Sequence, residues 1–123
     1  MRTLSIQTPT HGRVLVREAP NAAAVVVGFH GYTENAAIQM ARLEALPGSE
    51  RWTLVSIQGL HRFYRGRSEE VIASWMTRQD RELMIADNIA YVDRVIEAAV
   101  PPGLTVVTAG FSQGVLTATP AAQ

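Results

Sequence analysis

The residues with the clearest chemical content are Gly110-Phe111-Ser112-Gln113-Gly114, a G-x-S-x-G run that directly follows the apolar stretch Leu104-Thr105-Val106-Val107-Thr108-Ala109. A serine hydroxyl is a weak nucleophile at neutral pH. It becomes useful when a sharp strand-to-helix turn lifts its oxygen above a sheet and aims a neighbouring amide at the oxyanion formed on attack. Glycines two residues to either side allow that turn, because the backbone there must come close to adjacent elements. Five residues are a weak pattern alone, and its place after a buried strand supplies the context the chemistry needs. A second signal lies far upstream. His30-Gly31-Tyr32 follows another apolar run, Ala22-Ala23-Ala24-Val25-Val26-Val27-Gly28-Phe29. A loop at the carboxyl end of such a strand supplies the other oxyanion donor. The candidate site is therefore Ser112 as nucleophile, with the backbone N–H groups of Tyr32 and Gln113 as the oxyanion hole.

Three histidines can be weighed as the base. His30 is expected to be structural, its ring bonded within its own loop, because a base must face the serine oxygen. His11 falls in turn material, and His61 falls in a basic, aromatic stretch at the carboxyl end of a strand, where an exposed or substrate-rim position is expected. Arg62, Arg65 and Arg67 with Phe63 and Tyr64 form a cluster that a solvated loop accounts for, or that meets an anionic substrate. Asp80, Asp87 and Asp93 read as a cap and a solvated helix face. Met40, Met76 and Met84 read as packing residues, and no His, Asp or Glu cluster has metal-ligand spacing. No cofactor is expected.

The elements that must position these groups are legible as periodicity. Arg2 to Gln7 and Arg13 to Arg17 are expected to pair as a hairpin across Pro9–Gly12. The apolar run from Ala22 to Phe29 reads as a central strand covered on both faces. Asn35 is placed to cap a helix over residues 36–46, ended by Pro47-Gly48. Arg51 to Ile57 is a further strand, and Gln58 to Ser68 reads as an exposed or functional loop. After Asp80 as a possible N-cap, Ile85, Ile89, Val92 and Ile96 share one helical face. Pro101-Pro102-Gly103 ends that helix, and the strand Leu104–Ala109 leads into Ser112. Alternating strands and helices from residue 22 onward imply a parallel α/β sheet with right-handed crossovers.

Composition narrows the partner. The chain has 123 residues, 47% of them hydrophobic, with eleven basic and eleven acidic side chains and no cysteine. That fits one globular domain and gives no electrostatic footprint for nucleic acid or an anionic membrane. It also excludes thiol chemistry and disulfides. No leader-like or membrane-spanning run is present, so no stable membrane insertion is expected and a cytoplasmic location is. The expected partner is a small-molecule ester.

Gly28-Phe29-His30-Gly31-Tyr32-Thr33-Glu34-Asn35-Ala36, together with Gly110-Phe111-Ser112-Gln113-Gly114 and Trp75 in Ala73-Ser74-Trp75-Met76, resembles the carboxylesterase/phospholipase family of the α/β-hydrolase superfamily, which includes acyl-protein thioesterases and lysophospholipases. The resemblance runs in order along nearly the whole chain. It implies a three-layer α/β-hydrolase-type sheet, N-terminal part only, as a single partial domain over residues 1–123. It further implies hydrolysis of carboxylic esters or thioesters through an acyl-Ser112 intermediate. In this fold the acid and histidine follow the nucleophile. Only nine residues follow Gly114, none of them Asp, Glu or His. A truncated or frameshifted enzyme is expected, with the strand 104–109 left at a sheet edge open to self-association. The competing expectation is a non-enzymatic α/β fragment or ligand-binding remnant. A flavodoxin-like domain fits less well, because no phosphate-cradling glycine loop follows the first parallel strand.

Overall fold

The computed structural model describes residues 1–110, so Phe111, Ser112 and Gln113 lie outside the described residues. Six strands and two α-helices follow in the order β1 (Val14–Arg17), β2 (Ala24–Phe29), α1 (Ala36–Glu44), β3 (Trp52–Ile57), β4 (His61–Tyr64), β5 (Val71–Ser74), α2 (Arg81–Ala99) and β6 (Thr105–Gly110). The main sheet has the order β1-β3-β2-β6. Strands β2 and β3 are parallel, β2 and β6 are parallel, and β1 runs antiparallel to β3.

Alternation along β2 and β3 sends side chains to two cores, one on each face. Val25, Val27, Phe29, Val55 and Ile57 pack with Trp75 and with Val92 and Val95 of α2. Val26 and Leu54 pack with Met40 and Leu43 of α1 on the other face. The result is the three-layer arrangement expected from continuous apolar strands separated by helices. Gly28 is what lets α1 lie close, since a Cβ there would stand 2.8 Å from Leu43 Cδ1 and 3.0 Å from Gln39 Cγ.

Strand β6 is an edge among the described residues, as its expected lack of further neighbours requires. Its apolar side chains are only partly covered, with Val106 38% and Val107 49% exposed. No helix among the described residues is long and apolar enough to cross a membrane.

Four local expectations are corrected. Residues 2–7 form no strand, and Leu4 and Ile6 are exposed; two apolar side chains cannot hold a hairpin that lacks a covering layer. The antiparallel partner of β1 is β3 instead. Gln58–Ser68 is not wholly loop, because His61–Tyr64 pairs antiparallel with Val71–Ser74 in a second, two-stranded sheet. Asp80 precedes α2 without capping it: its backbone is left-handed, at φ 55°, and its side chain makes no cap hydrogen bond. The most buried residues of α2 are Asn88, Val92 and Val95, whereas Ile85, Ile89 and Ile96 are half-buried. Near the middle of that helix Tyr91 donates to the Gln58 carbonyl at 2.9 Å, and burial pushes its phenol up to about 12.

Candidate active site

The loop after β2, residues 30–35, is held from several directions. Asn35 caps α1, its Oδ1 accepting from the Ile38 N–H at 2.9 Å. Its amide donates to the Val71 carbonyl of β5 at 3.0 Å. The Ala36 N–H, one of the orphan donors of the first helical turn, is taken by Gln58 Oε1 at 3.3 Å. Glu34 accepts from the Gly31 N–H and from both terminal nitrogens of Arg42. The Arg42 hydrogen bond holds the Glu34 carboxyl below its ordinary range, against partial burial. The Ala73 N–H donates to the Glu34 carbonyl at 2.8 Å, tying the loop to the hairpin β4–β5, and Arg65 donates to the Thr33 carbonyl, also at 2.8 Å.

His30 is the buried hub of this loop. The Gly59 N–H donates to its Nε2 at 2.9 Å, so Nε2 carries no proton and Nδ1 donates to the Gly31 carbonyl at 2.7 Å. The Trp75 indole N–H donates to the His30 carbonyl at 2.9 Å, and the two rings stack at 5.2 Å. Gly59 is required at its place, because a Cβ there would sit 2.7 Å from the Ser74 carbonyl oxygen. With both ring nitrogens engaged, His30 is the structural histidine expected of it and has no lone pair to offer a serine. His11 is exposed near the N-terminus, and His61 is exposed on β4, in register with Ser74.

Burial holds the His30 imidazole below its ordinary value of 6.5, outweighing the Gly31 bond and the Glu34 charge, which raise it. The depressed value fixes the sign of the linkage. Above 6.5 both folded and unfolded chains hold a neutral ring; as pH falls below it, the unfolded chain binds the proton first and stability drops until the folded value is reached. The unfolding free energy from urea denaturation is expected to fall between pH 8 and pH 5.5, by at most about 1.4 kcal/mol per pH unit. A smaller fall is expected in His30→Gln. Equal slopes in the two proteins would remove His30 as the cause. The window lies above the range in which Glu34, itself depressed from 4.5, gains a proton.

Tyr32 follows with its side chain 54% exposed and its ring 6.4 Å from that of Phe63. Its backbone N–H has no acceptor among the described residues. The sheet register brings this loop to the carboxyl end of β6: β2 and β6 are adjacent and parallel, with Phe29 paired to Gly110. His30-Gly31-Tyr32 thus leaves β2 at the level, and at the end of the sheet, where β6 ends with Gly110. Beside Tyr32 opens a cleft of about 490 Å³ lined by Tyr32, Met76, Thr77, Arg78 and Arg81. Sequence reasoning singled out Tyr32 and His30 but missed Glu34, Gln58 and Gly59 as supports. The Thr-Glu-Asn run before the helix was the signal available for Glu34; the supports from residues 58 and 59 depend on a contact distant in sequence.

A mixed sheet of this order, with helices on both faces and a loop after β2 beside the strand that leads into a G-x-S-x-G run, is the N-terminal part of an α/β-hydrolase fold. No protein-family model matches the chain, and no curated protein matches it. Among solved structures it is similar to acyl-protein thioesterase 2 of Zea mays, with a TM-score of 0.68, 21% identity, 91% of this chain covered and 51% of that one. At that identity the likeness establishes the fold, and the chain spans about half the length of the maize protein.

Proposed function

We propose that the chain is the nucleophile-bearing part of a serine hydrolase of carboxylic esters or thioesters. Ser112 Oγ attacks the carbonyl carbon, the Tyr32 and Gln113 N–H groups hold the resulting oxyanion, the leaving group departs, and water then releases the acyl group from Ser112. The observation that carries this reading is the Phe29–Gly110 pairing, which sets the ends of β2 and β6 side by side. The thioesterase-like fold and the unclaimed Tyr32 N–H support it. The lack of cysteine fits a cytosolic setting.

The proton on Ser112 needs a base, and His30 is already bonded at both ring nitrogens. Residues 115–123 hold no Asp, Glu or His, so the reading places the acid and histidine outside these 123 residues. The engagement of both His30 ring nitrogens favours a second reading, a non-enzymatic α/β fragment. The two are separated by expressing this sequence joined to whatever its gene encodes beyond codon 123 and assaying p-nitrophenyl butyrate. Turnover that falls by at least about 10³ on Ser112→Ala is expected. Turnover indifferent to that change, or no downstream Asp and His in any frame, leaves the fragment reading.

A further inference from the structure

The cleft beside Tyr32 carries a charge pattern that the hydrolase chemistry does not use. Its lining residues combine the buried Met76 and the aromatic Tyr32 with two arginines, Arg78 and Arg81, and no acidic residue. Four of the other nine arginines are engaged, and the remaining five, Arg2, Arg13, Arg51, Arg67 and Arg94, do not line the cleft. Arg17 faces Glu44, Arg42 holds Glu34, and Arg65 pairs with Glu70 at 3.2 Å. Arg62 donates to the His11 carbonyl. Arg78 and Arg81 make no ion pair or hydrogen bond among the described residues, although Asp80 and Glu82 are their chain neighbours; neither acid lines the cleft.

The backbone that presents the two arginines is fixed. The Thr77 N–H donates to Met84 Sδ at 3.3 Å, the Thr77 hydroxyl to the Gln79 carbonyl at 3.1 Å, and the Asn88 amide to the Trp75 carbonyl at 2.8 Å. Two cations held a few residues apart over an apolar floor, in a chain whose formal net charge is zero, form a local field complementary to an anion with an apolar stem.

We infer that this cleft binds a negatively charged group on the substrate, with Arg78 and Arg81 as its ligands and Tyr32 as the link between that group and the carbonyl being attacked. The substrate class is then an ester or thioester bearing a carboxylate or phosphate. The words "ester or thioester" rest on the proposed hydrolase function, whereas the anion site does not.

Binding to the 123-residue chain tests it without turnover. Hexanoate and hexyl phosphate are titrated against hexanamide, following the backbone amide signals of Tyr32 and Met76 by NMR. Both anions, or one of them, are expected to bind at least about tenfold tighter than the amide, with the advantage shrinking in 0.5 M salt. Whichever anion wins identifies the group. In Arg78→Ala/Arg81→Ala the advantage is expected to fall below threefold, with the urea midpoint unchanged, and Arg78→Lys/Arg81→Lys is expected to restore part of it. Equal affinity for hexanamide, an advantage that survives the double alanine change, or shifts that miss Tyr32 and Met76 would each overturn the site. Turnover of neutral esters as fast as anionic ones in the gene-extended protein sinks this inference and leaves the hydrolase. Anion binding in a protein whose turnover ignores Ser112 does the reverse.

Discussion

Trp75→Ala is expected to destabilise the 123-residue chain by about 3–5 kcal/mol, a large part of the ~5–15 kcal/mol that holds a domain of this size together. Trp75 is fully buried, and three losses coincide on removing it. The indole fills the junction between the core under α2 and the β4–β5 hairpin, packing 5.7 Å from the Phe29 ring and 5.2 Å from that of His30. Its N–H satisfies the buried His30 carbonyl, which loses that donor on substitution by alanine. The cavity also loosens the stacked imidazole, and with it the Gly59 and Gly31 bonds that shape the loop before Tyr32. Trp75→Phe keeps a ring and loses the donor, so about 1–3 kcal/mol is expected for it. Urea denaturation followed by far-ultraviolet circular dichroism measures both. A Trp75→Ala protein within 1 kcal/mol of the parent would mean that the loop is held by Asn35 and Glu34 alone.

What could be read from the sequence was what repeats along it. The runs that became β2, β3 and β6 are continuously apolar and declare themselves as strands, and Asn35 before an Ala-rich stretch marks a helix start. The hairpin β4–β5 hid because every residue of β4 is exposed. A strand without a buried face shows no alternation, and this one is fixed by its ladder to β5 and by the Arg65 bond to Thr33. The face of α2 was misjudged for a related reason. Asn88 is nearly fully buried because its amide donates to the Trp75 carbonyl. A hydrophobicity pattern counts such a residue as solvent-facing and shifts the stripe toward Ile85 and Ile89. The opposite error put a strand at residues 2–7, where Leu4 and Ile6 alternate correctly with nothing to cover them. At the site, the His30-Gly31-Tyr32 loop was legible as a loop after a strand. Its supports were not, because Gln58, Gly59 and Trp75 reach it across 22 to 45 residues of chain.

The larger effect is in catalysis. A protein consisting of residues 1–123 is expected to hydrolyse p-nitrophenyl butyrate at a rate changed less than about twofold by Ser112→Ala, whereas the same change in a complete Ser-His-Asp enzyme costs on the order of 10⁴ to 10⁶. The reason is proton transfer. During attack the serine proton must go to a base, and that same group, once protonated, must deliver it to the leaving oxygen or sulfur. Among the histidines, His30 is neutral, buried and bonded at Nδ1 and Nε2, so protonating it would break the Gly59 bond on which the loop depends. His61 stands exposed on β4, in a sheet separate from the one that carries β2 and β6. An oxyanion hole by itself stabilises the tetrahedral oxygen and leaves the hydroxyl proton where it is. Steady-state rates for the parent, Ser112→Ala and His61→Ala, each checked for an unchanged urea midpoint, decide the matter. Turnover abolished by both substitutions would place a working base on the hairpin and refute the assignment of the base to sequence outside residues 1–123.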